Sequence, residues 1–183
     1  IGARLYYVAF NWDMYSGDLL KILNIRLGGL AIHGGLIFGL GAAAILCVIW
    51  KIRPLNAMDL AAPCIAIAQS IGRWGNYFNS EAHGGPTDLP WGVEINGMTY
   101  HPTFLYESIW CFMLFFFLIY VDNRRKFEGQ TILLYGILYS VERFFVEGLR
   151  TDSLMIGPFR QAQLLSLTVI IICTAFYLIL RKK

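Results

Sequence analysis

Five polar side chains capable of acid–base chemistry or anion binding stand near the ends of apolar segments in this sequence. His33 lies within GGLAIHGGLIFG, Arg73 and Asn76 follow an apolar run in GRWGNYFN, and Arg143 and Glu147 lie in LYSVERFFVEGLR. A neutral imidazole is the usual general base near neutral pH, and a guanidinium binds phosphate through two parallel hydrogen bonds. These residue types indicate a site that binds an anion beside a group able to take up a proton.

The residues of the last cluster have helical spacing. Arg143, Glu147 and Arg150 are separated by four and three residues, so all three can lie on one face of a helix, and Tyr139 precedes Arg143 by one turn. Such a face predicts either an internal ion-pair ladder that holds the fold or an arginine that binds phosphate while the glutamate orients it. Both roles are compatible, because an ion pair can preposition a ligand-binding guanidinium.

The segment after Arg73 combines small residues with amide and carboxylate groups. Gly75, Asn76, Asn79 and Glu81 follow the arginine closely, and together they suit a pocket for an anionic headgroup. The alternative is an arginine that anchors a helix end by reaching the lipid headgroups. We favour the pocket, because the amides and glycines accompany the charge.

His33 has glycines on both sides, which leave space for a substrate or another backbone. A structural histidine, hydrogen-bonded to a neighbouring helix, is the alternative to a base. His33, His83, His101 and Glu81 lack HxxxH and HExxH spacings, so we predict neither a metal nor another cofactor. The four cysteines lie in apolar runs without CxxC spacing and are expected to be small buried hydrophobes: Cys47, Cys64, Cys111 and Cys173.

Apolar segments of membrane-spanning length must position these polar groups. Of the 183 residues, 57% are hydrophobic and 15% charged, whereas soluble domains carry about 25% charged residues. This composition predicts an all-α, polytopic integral membrane helix bundle, a single domain over residues 1–183, without a nucleic-acid partner. Asp59 is expected to cap the second long helix. The predicted spans are residues 30–50, 57–75, 103–121, 130–148 and 162–180, and residues 1–10 resemble the end of a further helix, so we expect an N-terminal helix to be missing.

The loops predict the orientation of the bundle. Basic residues follow the first, third and fifth runs and, by alternation, share one face, which the positive-inside rule assigns to the cytoplasm. The opposite face receives the polar clusters and an outer loop over residues 76–102, which contains no lysine or arginine. Ionisable groups at membrane depth are costly unless they face protein or a wet cavity, so this convergence predicts a functional site on the non-cytoplasmic side. The basic residues are Lys51, Arg53, Arg124, Arg125, Lys126, Arg181, Lys182 and Lys183.

Four motifs, in this order, resemble those of the bacterial prolipoprotein diacylglyceryl transferases: AIHGG, GRWGNYFNSEAHGG, HPTFLYES and RFFVEGLRTD. The likeness covers nearly the whole chain. It implies a multi-pass enzyme of the bacterial plasma (inner) membrane with about seven helices, of which this chain would hold about five complete and one partial. The family transfers the diacylglyceryl group of phosphatidylglycerol to the lipobox cysteine of a preprolipoprotein signal peptide. The reaction forms a thioether and releases glycerol phosphate in the first step of bacterial lipoprotein maturation.

The resemblance also implies roles for individual residues. His33 resembles the family's essential histidine, proposed as base for the incoming thiol. Arg143 matches the family's second polar cluster and is assigned a catalytic role, and the family's arginines are implicated in binding the phospholipid headgroup. Phe104 stands where many members have glutamine, so no glutamine role carries over. The substrate-binding positions, taken from the match and from the residues around it, are Arg73, Asn76, Asn79, Glu81, Gly84, Tyr139, Glu147 and Arg150.

The predicted chemistry accounts for the residue types. A thiol with an ordinary pKa of about 8.5 is mostly protonated at neutral pH, so its attack on the glyceryl carbon needs a base. Guanidinium groups stabilise the charge that grows on the leaving phosphate. The nucleophile arrives with the substrate, so the chain's own cysteines are not required.

Three other functions compete with this interpretation. A lipid transporter or scramblase would carry polar residues at several depths, whereas the cytoplasmic halves of these runs are almost purely apolar. A structural or receptor-like protein would leave the convergence of His33, Arg73 and Arg143 unexplained. A membrane acyltransferase would use acyl donors and a His–Asp pair.

Overall fold

Most of the chain is α-helical. The computed structural model describes residues 1–17, 19–25, 28–151, 153 and 155–182. Lys183, one of the basic residues used for orientation, and Asp152, the last residue of RFFVEGLRTD, lie outside these ranges. The helices of the described residues are α1 (Gly2–Phe10), α2 (Ile32–Ile49), α3 (Pro54–Phe78), α4 (Thr103–Asp122), α5 (Gln130–Leu149) and α6 (Gln161–Arg181), with 3-10 turns at Trp12–Met14 and Leu19–Leu23. Helices α2 to α6 lie where the five apolar runs predicted them.

The segment predicted as an outer loop contains more regular structure than expected. Helix α3 continues to Phe78, so the first residues of the segment are helical. Further along, strands β1 (Val93–Ile95) and β2 (Met98–Tyr100) form an antiparallel hairpin. Asn96 and Gly97 connect them with positive φ angles of 52° and 81°, the conformation that an Asn-Gly turn adopts readily. A second hairpin pairs β3 (Met155–Ile156) with β4 (Phe159–Arg160).

Residues 1–54 and 55–183 form two compact units. In the first unit, α1 packs against the start of α2 at Gly34. A Cβ there would lie 2.5 Å from the carbonyl oxygen of Gly2 and 3.0 Å from Cα of Ala3, so only glycine permits this approach. Arg4 is buried, and its guanidinium donates hydrogen bonds to the carbonyl oxygens of Lys21, Ile22, Asn24, Gly28 and Gly29.

The second unit contains α3 to α6, and hydrogen bonds link its helices at several depths. Ser70 Oγ on α3 donates to the carbonyl oxygen of Ser108 on α4 at 2.8 Å. Tyr135 Oη on α5 donates to Oε1 of Gln69 on α3 at 2.8 Å. The helices pack around a small apolar core whose buried members are Ala62, Ala66, Leu114 and Leu118.

Polar side chains lie inside the second unit and apolar side chains cover its outside. The buried polar residues include Thr103, Glu107, Ser108, Thr131, Ser140, Glu142 and Glu147, whereas the exposed residues of α4 and α6 include Phe112, Met113, Phe116, Leu165, Ile171 and Phe176. Large exposed apolar surfaces are rare on soluble monomers. In membrane proteins, polar groups inside the helix bundle typically belong to a functional site. Helices α4 and α6 are long and apolar enough to cross a membrane.

Asp59 stabilises the start of a different helix from the one expected. It lies in the second turn of α3, and the prediction that it caps its own helix is wrong. Its Oδ2 accepts from the N–H of Gly129 at 2.7 Å, and its Oδ1 accepts from the N–H of Ile132 at 3.0 Å. Arg125 pairs with the same carboxylate at 3.1 Å. Asp59 therefore caps α5, whose first N–H groups need acceptors, from across the helix interface.

Candidate functional site

A buried carboxylate on α4 joins two arginines from different helices. Glu107 has a side chain that is 1% exposed. Its Oε2 lies 2.7 Å from Nε of Arg73 on α3, and its Oε1 accepts a hydrogen bond from Nη1 of Arg143 on α5 at 2.6 Å. A carboxylate held this tightly between two guanidinium groups fixes the spacing and the orientation of both.

Two further residues complete the ion-pair network. Arg143 Nη2 lies 2.7 Å from Oε2 of Glu147, four residues later on the same helix. Arg73 Nη2 donates to the hydroxyl oxygen of Tyr139 at 3.1 Å. The helical spacing therefore predicted the Arg143–Glu147 pair correctly, and Tyr139 points its hydroxyl at the other arginine. Arg73 and Arg143 keep side-chain exposures of 21% and 22%, so both side chains are partly accessible.

The position of this network follows from where the helices begin and end. Arg73 lies near the end of α3, Glu107 in the second turn of α4, and Arg143 near the end of α5. The network thus occupies one end of the three helices, and Asp59 with Arg125 occupies the other. Because Glu107 lies close to the N-terminus of α4, the helix dipole also favours its negative charge.

The loop after α3 is held against the end of α5 through its glycines. Gly84 is buried and forms an isolated β-bridge with Arg150, while the N–H of Gly85 donates to the carbonyl oxygen of Leu149 at 2.9 Å. A Cβ on Gly84 would lie 2.6 Å from Cβ of His101, so no larger residue fits there without displacement. Gly84 and Arg150 are therefore adjacent.

Residues of the motifs GRWGNYFNSEAHGG and HPTFLYES line a cavity of about 280 Å³ beside the same loop. Asn76, Glu81, His83 and Phe104 contribute to its walls. Asn79 Nδ2 donates to Oε1 of Glu81 at 3.1 Å, and both side chains are exposed. This cavity combines carboxylate, amide and aromatic groups, so it can take a ligand with both polar and apolar parts.

A second cavity, of about 440 Å³, lies between α5 and α6. Tyr139, Ser140, Arg143 and Ser166 form part of its lining, with apolar residues such as Val169 along the rest. A cationic group at the margin of a mainly apolar cavity is suited to an amphipathic ligand with an anionic headgroup.

The end of α5 is capped by an arginine that the sequence did not single out. Arg160 Nη1 donates to the carbonyl oxygens of Glu147 and Arg150, the latter at 2.9 Å. Cationic donors are favourable at helix C-termini because the last carbonyl groups lack helical partners. Arg160 thereby holds the backbone that carries Glu147 and Arg150.

His33 lies in the first turn of α2 in the first unit. Its ring is exposed, and its centroid lies 6.2 Å from that of Tyr6. The assignment of His33 as the base stays a prediction.

Sequence reasoning missed Glu107, and it noted Glu142 as a polar residue of the fourth apolar run without giving it a role. Glu107 was within the motif HPTFLYES but was read only as part of the resemblance. A signal did exist, because a glutamate inside an otherwise apolar span is costly unless it is paired. Glu142 precedes Arg143 directly and is also buried.

The described residues contain no group of three His, Cys, Asp or Glu side chains placed to hold a metal ion. The HxxxxD spacing typical of membrane acyltransferases does occur, at His83 and Asp88. Asp88 is exposed, and the contact given for Nδ1 of His83 is with the carbonyl oxygen of Gly84 at 3.2 Å. This geometry gives no support to an acyltransferase dyad.

The fold and the site define a helical membrane protein whose interior holds an arginine–glutamate network suited to an anionic group. Residues 1–179 match the family model described as prolipoprotein diacylglyceryl transferase. The chain belongs to this family of membrane transferases, which confirms the resemblance seen in the sequence.

Curated relatives match all or nearly all of the chain. A phosphatidylglycerol–prolipoprotein diacylglyceryl transferase from Clostridioides difficile (strain 630) is 52% identical over 183 residues, which are 100% of this chain and 74% of that protein. A protein of the same name from Finegoldia magna is 52% identical over 172 residues, covering 93% of this chain and 69% of the relative. One from Clostridium kluyveri is 49% identical, covering 100% of this chain and 76% of the relative.

Proposed function

We propose that this protein transfers the diacylglyceryl group of phosphatidylglycerol to the lipobox cysteine of a prolipoprotein. Relatives at about half identity carry the name of this activity. The observation that carries the proposal is the bridge from Glu107 to Arg73 and Arg143. It holds two partly exposed guanidinium groups together at one end of the helices, where they can bind one phosphate.

In the proposed reaction the thiolate of the prolipoprotein cysteine attacks the glyceryl carbon that bears the phosphate ester. The new carbon–sulfur bond forms as the carbon–oxygen bond breaks, and glycerol phosphate leaves with the electron pair. The thiol proton passes to a base, for which His33 is the proposed residue. Arg73 and Arg143 stabilise the negative charge that develops on the leaving oxygen, an effect that often contributes about 100-fold or more per donor.

Glu107 contributes by positioning rather than by proton transfer. A guanidinium that is already ordered loses less side-chain freedom when phosphate binds, so its affinity is higher than that of a mobile side chain. Glu147 and Tyr139 also restrict these arginines, because Glu147 pairs with Arg143 and the hydroxyl of Tyr139 accepts from Arg73. The network therefore acts as a rigid cationic support for the headgroup.

The mainly apolar cavity between α5 and α6 lies next to the arginine–glutamate network. Because Arg143 and Tyr139 lie on its lining, a lipid can place its phosphate at the arginines and part of an acyl chain along Val169. Asn76 and Glu81, in the other cavity, are proposed to contact the polar parts of the substrates. Gly84 is proposed to let the loop that bears them approach α5 closely.

We further propose that the protein is a multi-pass protein of the bacterial plasma membrane, with the site on the non-cytoplasmic side. The positive-inside rule supports this orientation. Arg124, Arg125 and Lys126 follow α4, and Arg181 ends α6. The ring contact between Phe127 and Tyr177, with centroids 5.2 Å apart, joins these two regions at the end of the unit opposite the network.

A transfer assay tests the proposed function. The purified protein in proteoliposomes receives phosphatidylglycerol labelled in its acyl chains and a lipobox peptide, and label on the peptide is measured. We expect transfer by the wild type and a loss of about 100-fold or more in Arg73→Ala and Arg143→Ala. Arg124→Ala is the matched control, because this arginine lies over the ring of Tyr120 at the other end of α4.

The peptide separates the competing mechanisms. Label that requires both the peptide cysteine and the two arginines supports the thiol mechanism. Label that persists after the cysteine is replaced by serine contradicts it. No label with a folded protein, together with movement of labelled lipid between leaflets, would favour a transporter instead.

A further inference from the structure

Glu142 on α5 is a buried carboxylate without a hydrogen-bond partner. Its residue exposure is 6%. Among the residues that the structure describes, neither of its carboxylate oxygens accepts a hydrogen bond. The other two carboxylates around the arginines, Glu107 and Glu147, both form ion pairs. A buried acceptor left unsatisfied destabilises a fold, so a donor group from a ligand would be stabilising at this position.

Glu142 lies beside the network that is proposed to bind the phosphate, but it forms no hydrogen bond with it. Its carboxylate interacts electrostatically with Glu107, Arg73 and Arg143. It also precedes Arg143 directly and follows Tyr139 by one helical turn. The arginine donors described above point instead at Glu107, Glu147 and Tyr139. Glu142 is therefore a buried acceptor without a hydrogen bond among the described residues, and it lies beside two cationic groups.

The chemistry of the acceptor limits what can bind it. In its ionised form a carboxylate accepts hydrogen bonds only, and a phosphodiester offers no hydrogen to donate. The neighbouring guanidinium groups of Arg73 and Arg143 disfavour an ammonium group at the same place, because like charges repel in a site of low dielectric constant. An uncharged donor adjacent to a phosphate remains, and hydroxyl groups on the alcohol of a phospholipid headgroup have this character.

We propose that Glu142 accepts hydrogen bonds from the hydroxyl groups of the headgroup alcohol and thereby selects a polyol headgroup. This inference rests on the proposed function, since it assumes that the lipid phosphate binds Arg73 and Arg143. Glu142 is then a specificity-determining residue. Arg73 and Arg143 bind the phosphate of a phosphoglycerol group, and Glu142 binds its hydroxyl groups.

The test compares two lipids with identical acyl chains, phosphatidylglycerol and phosphatidylmethanol, which has the same charge but no headgroup hydroxyl. Transfer to the lipobox peptide is measured for the wild type, Glu142→Gln and Glu142→Leu. We expect Glu142→Leu to lower kcat/KM with phosphatidylglycerol about tenfold or more and to leave the value with phosphatidylmethanol within about twofold. Glu142→Gln keeps an acceptor oxygen and is expected to lie between the wild type and the leucine variant.

A binding measurement accompanies the transfer assay. Phosphatidylglycerol is expected to raise the melting temperature of the wild type more than phosphatidylmethanol does, and this difference should vanish in Glu142→Leu. Without added lipid the leucine variant is expected to melt no lower than the wild type, because it removes an unpartnered buried carboxylate.

Two outcomes would overturn the inference. An equal fall in kcat/KM with both lipids would assign Glu142 to the thiol or to the fold rather than to the headgroup. An unchanged preference for phosphatidylglycerol in both variants would remove its role in selection. Failure of the proposed function differs from both, because the wild type would then transfer neither lipid and neither lipid would raise its melting temperature.

Discussion

Replacing Glu107 with leucine is expected to destabilise the protein strongly, because it leaves two arginines of the interior without their shared carboxylate. Glu107 is 1% exposed, and its oxygens lie 2.7 Å from Arg73 and 2.6 Å from Arg143. Leucine has a similar length but accepts no hydrogen bond. Arg143 would still pair with Glu147, but Arg73 would lose its carboxylate partner, and the two like charges would repel each other in a site of low dielectric constant.

The structure sets the size of the effect. Removing one partner of a buried ion pair costs about 3–5 kcal/mol. Arg73 and Arg143 are 21% and 22% exposed, so water compensates part of the loss, and we expect the lower value, about 3 kcal/mol. In a chain of this length 1 kcal/mol lowers the melting temperature by about 2–4 °C, which gives a decrease of about 6–12 °C.

Thermal unfolding in detergent at a fixed scan rate measures this decrease, since unfolding of such proteins is often irreversible. Glu107→Gln keeps the length and one acceptor oxygen, so it should lose about half as much. Glu94→Gln on the exposed side of β1 is the matched control and should melt within about 2 °C of the wild type. The double variant Glu107→Leu, Arg73→Leu should recover part of the loss, because it also removes the guanidinium that has lost its carboxylate partner.

A leucine variant that melts within 2 °C of the wild type would refute the reasoning, because a buried carboxylate between two guanidinium groups cannot be removed without effect. Strict additivity in the double variant would also contradict it, since it would mean that Glu107 and Arg73 do not interact.

Three further substitutions probe other parts of the second unit. Asp59→Ala removes both caps from the start of α5 and should lower the free energy of unfolding by about 2 kcal/mol, measured by thermal unfolding; an unchanged melting temperature would contradict this capping role. Gly84→Ala places a Cβ 2.6 Å from Cβ of His101 and should cost about 1–3 kcal/mol together with transfer activity, whereas wild-type stability and activity would show that the loop can shift freely. Tyr139→Phe removes the hydroxyl that accepts from Arg73 at 3.1 Å and should lower kcat/KM about tenfold with little change in melting temperature; an equal loss in stability would assign the hydroxyl to the fold.

Hydrophobic runs and charge placement alone predicted much of this protein. The five long helices lie where apolar runs of spanning length occur, because an apolar run of about 20 residues is typical of a membrane-spanning helix. The pair of Arg143 and Glu147 was predictable as well, since side chains four residues apart on a helix are neighbours wherever the helix lies. Motif order was sufficient to indicate the family.

Contacts between helices were decided only by the tertiary structure. Glu107 and Arg143 are 36 residues apart, and Asp59 and Ile132 are 73 apart. Helical periodicity fixes which residues share a face of one helix, but it does not specify the rotation and depth at which two helices meet. For that reason the sequence could indicate that Arg73 and Arg143 belong to one site, while only the packed helices showed that a single carboxylate of α4 joins them.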